Sequence, residues 1–363
     1  MLAGMIRQLA RRLMQHPAAP YHEHAVRAEV KRICLEHNLK FHQDQFGNVL
    51  VRWRTEARQR PLVLAAHLDH PGFEIVRGHS PNVGLARFRG GVGDDYFRAG
   101  IPIRLMPGGT PAKLGRRTGS KKTFELETKN RGFRILPKFA VWELEDFSMR
   151  QGRIYGRACD DLIGVAAILA TLIELRRRKA RTNVVGLISR AEEIGFHGAL
   201  ACAASGELPK NSLVISLETS RELPGVKMGQ GVILRVGDRT SIFDPEATRF
   251  LAEVASGLTA KRKVFQFQRG LMSGGTCEAT AFQELGFQTA ALCVALGNYH
   301  NCAARNRIAA EYVSIADARG MVELLIAAAE QMPQFSQLTG KLSRRLREML
   351  REARKKLRAT AEA

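Results

Sequence analysis

At 363 residues the chain is long enough to bury a sizeable core, and its six cysteines, Cys34, Cys159, Cys202, Cys277, Cys293 and Cys302, form no CxxC pair, which speaks against a zinc ribbon or a disulfide-framed secreted domain. The formal net charge of +21, from 56 Lys and Arg against 35 Asp and Glu, predicts attraction to polyanions without specifying a nucleic-acid function. The longest apolar stretches, such as Ile163 to Leu172, fall short of the roughly 18 residues that span a bilayer, so no transmembrane segment is expected.

The first residues meet Arg7, Arg11 and Arg12 before any apolar run long enough for a signal peptide, and scattered cysteines suit a reducing compartment, so a cytoplasmic location is expected. Residues 2 to 15 repeat Leu2, Ile6, Leu9 and Leu13 at helical spacing, and residues 22 to 37 continue helically through Val26, Val30, Ile33 and Cys34. His22, His24, His37 and His42 lie there among polar neighbours and read as surface histidines. Phe41 to Trp53 predicts a hairpin about Gln45-Phe46-Gly47-Asn48, and Leu62-Val63-Leu64-Ala65-Ala66 is a continuous apolar run of the kind buried on both faces. That strand delivers His67 to its carboxyl end, the side of an open α/β sheet where ligands collect.

After Gly72 the pattern turns to short alternating runs with frequent glycines: Phe73 to Val76, Val83 to Phe88, Ile101 to Leu105, Thr123 to Glu127 and Ala140 to Leu144. Residues 73–151 therefore read as a β-rich insertion, with a loop expected through Thr110 to Lys122. Helical periodicity returns at Asp161 to Arg178, so residues 1–72 and 152–335 form the main domain. Strands and helices then alternate through Val184 to Ile188, Gly195 to Ala204, Leu213 to Leu217, Asp244 to Leu258, Val264 to Phe267, Thr276 to Leu285, Thr289 to Val294 and Glu311 to Gln331. Such alternation predicts an α/β fold, a mainly parallel sheet with helices on both faces. Residues 336–363 form a basic tail in which Leu342, Leu346, Met349, Leu350, Ala353 and Leu357 fall on one helical stripe. It is expected either to stand solvated or to touch a membrane surface, a partner or a neighbouring subunit.

Chemistry concentrates where the apolar strands end. Glu192 and Glu193 follow Val184 to Ile188 and precede a glycine-opened helix. Beside a metal, one carboxylate of such a pair can bind the cation while the other handles a proton of water; alone, adjacent glutamates are more often two solvated surface groups. A lone His67 or His300 equally suits a satisfied core histidine, Asp160-Asp161 a helix cap, and Glu218 an ordinary strand-end acid. His197 reads as a helix-surface residue or a pocket wall. Cys159, Cys277 and Cys302 have no histidine placed to make a nucleophilic pair and read as small apolar packers. Together, carboxylates and imidazoles at four strand ends would converge on one sheet edge, as a two-metal hydrolase requires, with Asp160 the candidate bridge; nitrogen and oxygen donors suit zinc, cobalt or manganese.

The runs His67-Leu68-Asp69-His70-Pro71-Gly72-Phe73, Gly156-Arg157-Ala158-Cys159-Asp160-Asp161, Ala191-Glu192-Glu193-Ile194-Gly195, Ser216-Leu217-Glu218-Thr219, Gly274-Gly275-Thr276 and Tyr299-His300-Asn301 resemble those of the M42 family of dinuclear metallo-aminopeptidases, within the co-catalytic zinc peptidase clan. The resemblance implies that His67 and Glu218 terminate one metal, Glu193 and His300 terminate the other, and Asp160 bridges both. It implies Glu192 as general base, Asp69 as the acceptor that fixes the His67 tautomer, a peptide substrate, and a dimerisation role for the β-rich insertion in a homo-oligomer. Glu218 departs from the family's usual Asp, His70-Pro71 from an acidic-aliphatic pair, and Cys277-Glu278 from the Asp that follows Gly-Gly-Thr. The expected activity is removal of N-terminal residues from peptides. An amidohydrolase of small N-acylated substrates is the enzymatic alternative, and an inactive basic scaffold for nucleic acid is the non-enzymatic one; no specific nucleic-acid partner is expected.

Overall fold

Four strands, Asn183–Ser189, Leu62–His67, Leu213–Arg221 and Gln288–Gly297, run parallel side by side in that order and make the centre of the molecule. The computed structural model describes residues 2–119, 121–129, 131–262 and 264–361. Side chains alternate between two covered faces, which explains why the middles of these strands are largely apolar. Leu62, Leu64 and Ala66 face a layer that contains the helices Leu2–Met14, Leu162–Arg177, Pro245–Lys261 and Ile315–Gln331. Val63 and Ala65 face the opposite layer, which holds His197–Ala204 and Glu278–Glu284. With every central strand pointing the same way, their carboxyl ends share one edge.

The sheet is mixed, which corrects the expectation of a mainly parallel one. The hairpin Lys40–Gln43 and Val49–Arg54 joins antiparallel to Asn183–Ser189 on one flank. On the other, Glu311–Ser314 pairs antiparallel with Gln288–Gly297, followed by Arg153–Gly156 and Ser148–Arg150. Val232–Gly237 also meets Gln288–Gly297 antiparallel and carries Phe267–Leu271 beyond it. The strand expected over Val264 to Phe267 therefore begins where that segment ends: Val264 lies in a turn and is exposed.

The strands Gly72–Ser80, Val83–Arg89, Thr123–Glu127, Thr110–Gly119, Pro102–Met106 and Phe139–Trp142 close into a small barrel. Its interior holds Phe73 with Phe88 and Trp142, ring centroids 4.9 Å from Phe73 in both cases and nearly edge-to-face. Thr110 to Lys122, expected as a loop, is largely a strand, because Ala112 and Leu114 point into the barrel while Lys113 and Arg116 point to water. The chain leaves the barrel at Trp142 and rejoins the large sheet at Ser148. No described helix is long and apolar enough to cross a membrane.

Leu162–Arg177 is capped by Asp161, whose carboxylate accepts from Gly164 N at 3.1 Å, and closes on a cationic last turn. There Glu174, 3 % exposed, accepts from Arg177 and Arg178 at 2.7 Å each. Hydrogen bonds from Arg177 and Arg178 outweigh burial and hold Glu174 down at about 2, below its ordinary 4.5. A depressed folded value means the stabilisation is whole above pH 4.5 and is lost as pH falls through 2. Glu174→Gln is expected to lower the unfolding free energy by about 1–3 kcal/mol at neutral pH. Urea titrations across a pH series check this; a deficit that stays constant down to acid would sink it.

Candidate metal centre

His67 ends one central strand, Glu192 and Glu193 follow the end of another, Glu218 lies near the end of a third and His300 just beyond the end of the fourth. Asp160 arrives from the antiparallel flank, immediately before the Asp161 cap. The fold brings these six side chains into two adjoining groups. His67, Glu192 and Glu218 present donor atoms within 4.8 Å of one another, as do Asp160, Glu193 and His300. Asp160 faces both: Oδ1 lies 3.6 Å from His67 Nε2 and Oδ2 lies 3.5 Å from His300 Nε2. Glu193 Oε1 is 3.2 Å from His300 Nε2, and Glu192 Oε2 is 3.8 Å from His67 Nε2.

The second nitrogen of each imidazole decides what the first can do. His67 Nδ1 lies 3.1 Å from the main-chain oxygen of Asp69, and His300 Nδ1 lies 2.8 Å from that of Gly91. A carbonyl oxygen only accepts, so the proton sits on Nδ1 in both rings and the Nε2 lone pair is turned toward carboxylates. Two lone pairs and several carboxylates aimed at one another repel unless a cation or extra protons intervene. Asp160 Oδ1, Glu193 Oε1 and Glu218 Oε1 are moreover buried without a hydrogen-bond partner among the described residues. A divalent cation in each group meets all of these demands, so this donor set fits two metals.

The electrostatics point the same way. Burial opposes a charged His67, yet Glu192, Asp160, Glu218 and Asp69 hold its imidazole well above the ordinary range. His300 is likewise raised against burial by Glu193 and Asp160. Burial pushes Glu192 well up and Glu218 up to about 8. Asp160 goes down despite its burial, because the adjacent imidazoles of His300 and His67 favour its charged form. Without metal the cluster thus retains protons, which bound cations would displace.

Asp69 acts on the glutamate pair. Its carboxylate accepts from Glu192 N at 2.9 Å and Glu193 N at 3.2 Å, and it stands 3.7 Å from His67 Nδ1, farther than its own main-chain oxygen. From the other side, buried Glu23 accepts from Ala191 N at 3.1 Å and Arg190 Nε at 2.8 Å, bracing a turn in which Ala191 takes a φ of +52°. Two carboxylates therefore hold the loop that presents Glu192. Glu311 ties the remaining donors together, accepting from Asp160 N at 3.0 Å and His300 N at 2.8 Å. Buried His70 lies 2.9 Å from Asp160 O and 3.0 Å from Asn301 Oδ1. Sequence reasoning missed Glu23, Glu311 and Asn301; an acid opening the short strand Glu311–Ser314 was the one available signal. His197 is exposed and meets the Tyr21 hydroxyl at 2.7 Å, outside both donor groups. Cys159 and Cys277 are buried.

A cavity of about 710 Å³ opens over the donors, walled by Tyr299, Thr276, Arg221 and Arg239 and, from the barrel side, by Gly91 and Tyr96. A side branch beside Glu218 is lined by Cys277, Met272 and buried Arg235. Arg235 Nη1 reaches Ser220 Oγ at 3.4 Å, whereas its Nε has no hydrogen-bond partner among the described residues.

The fold is that of known peptidases. The TET1 peptidase of Pyrococcus horikoshii superposes with a TM-score of 0.74 at 21 % identity, covering 91 % of this chain and 99 % of that one. Aminopeptidase APDkam598 of Desulfurococcus kamchatkensis superposes at 0.76 and 20 % identity, covering 93 % and 98 %. In sequence, an inferred aminopeptidase of Acetivibrio thermocellus is 23 % identical over 306 residues, 78 % of this chain and 86 % of that protein. The family model of the M42 glutamyl aminopeptidases matches residues 124–317, more than half of the length. With that match, the chain belongs to the M42 family and is an enzyme, an aminopeptidase.

Proposed function

We propose that the protein is a cytoplasmic aminopeptidase that works with two divalent cations, zinc, cobalt or manganese, and uses Glu192 as general base. His67 and Glu218 would hold one cation, Glu193 and His300 the other, and Asp160 both. The observation that carries this is the Asp160 carboxylate, one oxygen toward each imidazole Nε2. When bound, the cations supply Lewis acidity to the scissile carbonyl and to water. Glu192 takes the proton of the attacking water and returns it to the leaving amine, held at its station by the Asp69 carboxylate on its main-chain N–H. Unpaired thiols at all six cysteines support the reducing compartment.

The cavity also bears on what is cut. Arg221 and Arg239 on its wall and Arg235 in its side branch favour an acidic N-terminal side chain. A panel of aminoacyl peptides and N-acyl amino acids tests both points. Release of N-terminal residues, glutamyl ahead of leucyl, is expected, and Arg235→Gln is expected to erode that preference by about ten- to a hundredfold. Deacylation of the N-acyl series without peptide cleavage would mean a small-substrate amidohydrolase instead, and metal-independent polyanion binding without turnover a basic scaffold.

A homo-oligomer joined through the barrel is part of the proposal. The P. horikoshii peptidase can assemble into a tetrahedron or a large octahedral shell. In this chain Ile135, 87 % exposed, and Leu136 stand bare on the loop beside the barrel strand Phe139–Trp142, an apolar patch of the sort that contacts cover. Sedimentation is expected to show particles several times the protomer mass; a monomer at all concentrations rules the assembly out.

A further inference from the structure

The C-terminal helix Lys341–Ala359 has no buried residue. Its first turn holds it to the preceding described chain, Lys341 to Glu253 at 2.7 Å and Arg344 to Gln337 O at 2.7 Å. Beyond that turn the helix runs on for roughly 22 Å at 1.5 Å per residue without a buried residue. At about 100° per residue, Leu342, Leu346, Met349, Leu350, Ala353 and Leu357 gather on an arc about 100° wide, and five of the six are large hydrophobics about half exposed or more. Cations border that arc on both sides, Arg345 and Lys356 along one edge and Arg347 and Arg354 along the other. The helix carries nine Lys or Arg against two Glu.

This distribution narrows what could cover the arc. Nucleic acid would neutralise the arginines but leave the leucines in water. A second copy of the helix would bury the leucines but bring two strongly cationic borders together, and Glu348 and Glu352 lie outside those borders. An anionic lipid surface satisfies both features at once, since phosphates meet the flanking cations and the headgroup boundary receives the leucines. A chain with a net charge of +21 approaches such a surface with no repulsion to overcome.

We infer that Lys341–Ala359 is a surface anchor that lays its leucine arc into an anionic bilayer and holds the peptidase there peripherally. The test is co-sedimentation of the full-length protein with phosphatidylcholine vesicles, with and without phosphatidylserine. Binding is expected to strengthen by about 100-fold or more when phosphatidylserine is present, at roughly 1 kcal/mol per basic residue near the surface. It is expected to fall to the phosphatidylcholine level both in Leu346→Asp/Leu350→Asp and in Arg347→Glu/Arg354→Glu, the second pair keeping the helix and its arc. Both variants are expected to retain peptide hydrolysis and particle size. Equal binding to the two vesicle types, absence of binding, or binding that survives both variants overturns the anchor. So does a drop in particle size in the variants, which assigns the arc to a second copy, or a loss confined to binding of single-stranded RNA, which assigns it to nucleic acid.

Discussion

Glu192→Gln is expected to lower kcat for peptide hydrolysis by roughly 10²- to 10⁴-fold, the range that a positioned acid–base group contributes, while leaving the metal content unchanged. The second half of that statement matters because Glu192 stands with His67 and Glu218 among donors within 4.8 Å of one another, so geometry alone would also allow it to bind a cation. The two roles separate by measurement. A general base that becomes an amide loses its proton acceptor and nothing else, since Glu192 N and its Asp69 partner are untouched. A ligand that becomes an amide loses a charged donor, and the metal goes with it. Elemental analysis of the variant beside its kinetics therefore decides the matter: full metal with lost turnover supports the base, whereas metal lost in proportion to turnover assigns Glu192 to the cation.

Removal of the cations is expected to abolish activity reversibly, and Asp160→Asn to abolish it irreversibly. A chelator should bring hydrolysis to background, with zinc, cobalt or manganese restoring it. The folded state should also loosen, because a ligand that binds only the native chain stabilises it by about 2.7 kcal/mol when present at a hundred times its dissociation constant. Chelated protein is thus expected to unfold at a lower temperature than loaded protein. Asp160→Asn is expected to shrink that difference and to hold at most one cation, because the side chain facing both imidazoles loses its charge. Calorimetry with and without chelator reads this directly; identical melting of loaded and chelated wild-type protein is the result that would falsify a native-state metal site.

Much of this was legible because the site is built at the ends of strands whose composition is unmistakable. Leu62 to Ala66 and Val184 to Ile188 are apolar at every position except Gly186, which announces strands buried on both faces, and the residues after them are the ones to which the proposal assigns chemistry. Pairing direction was less legible. Alternation of strands and helices describes the four central strands, but short flanking pieces such as Glu311–Ser314 and Arg153–Gly156 find antiparallel partners far away in the chain, and nothing local encodes that. Thr110–Gly119 hid behind its own surface charge: only Ala112, Leu114 and Gly115 are buried among arginines, lysines and threonines. Val232–Gly237 was concealed by a buried Arg235 in the middle of an otherwise plain strand. Glu23 gives no local sign of its task. It sits between two histidines near the start of the chain and acts on a loop more than 160 residues later. Contacts of that range arise from topology, which a single sequence reveals only in part.

That same separation bears on the order in which the enzyme comes to life. The donors run from His67 to His300, and Gly91, whose carbonyl orients His300, belongs to the barrel loop near the start. A growing polypeptide still short of residue 300 lacks the second imidazole of the donor groups, so the proposed pair of cation sites is incomplete in it. On the proposed assignment, the two donor groups are complete only once the segment carrying His300 has joined those that precede it.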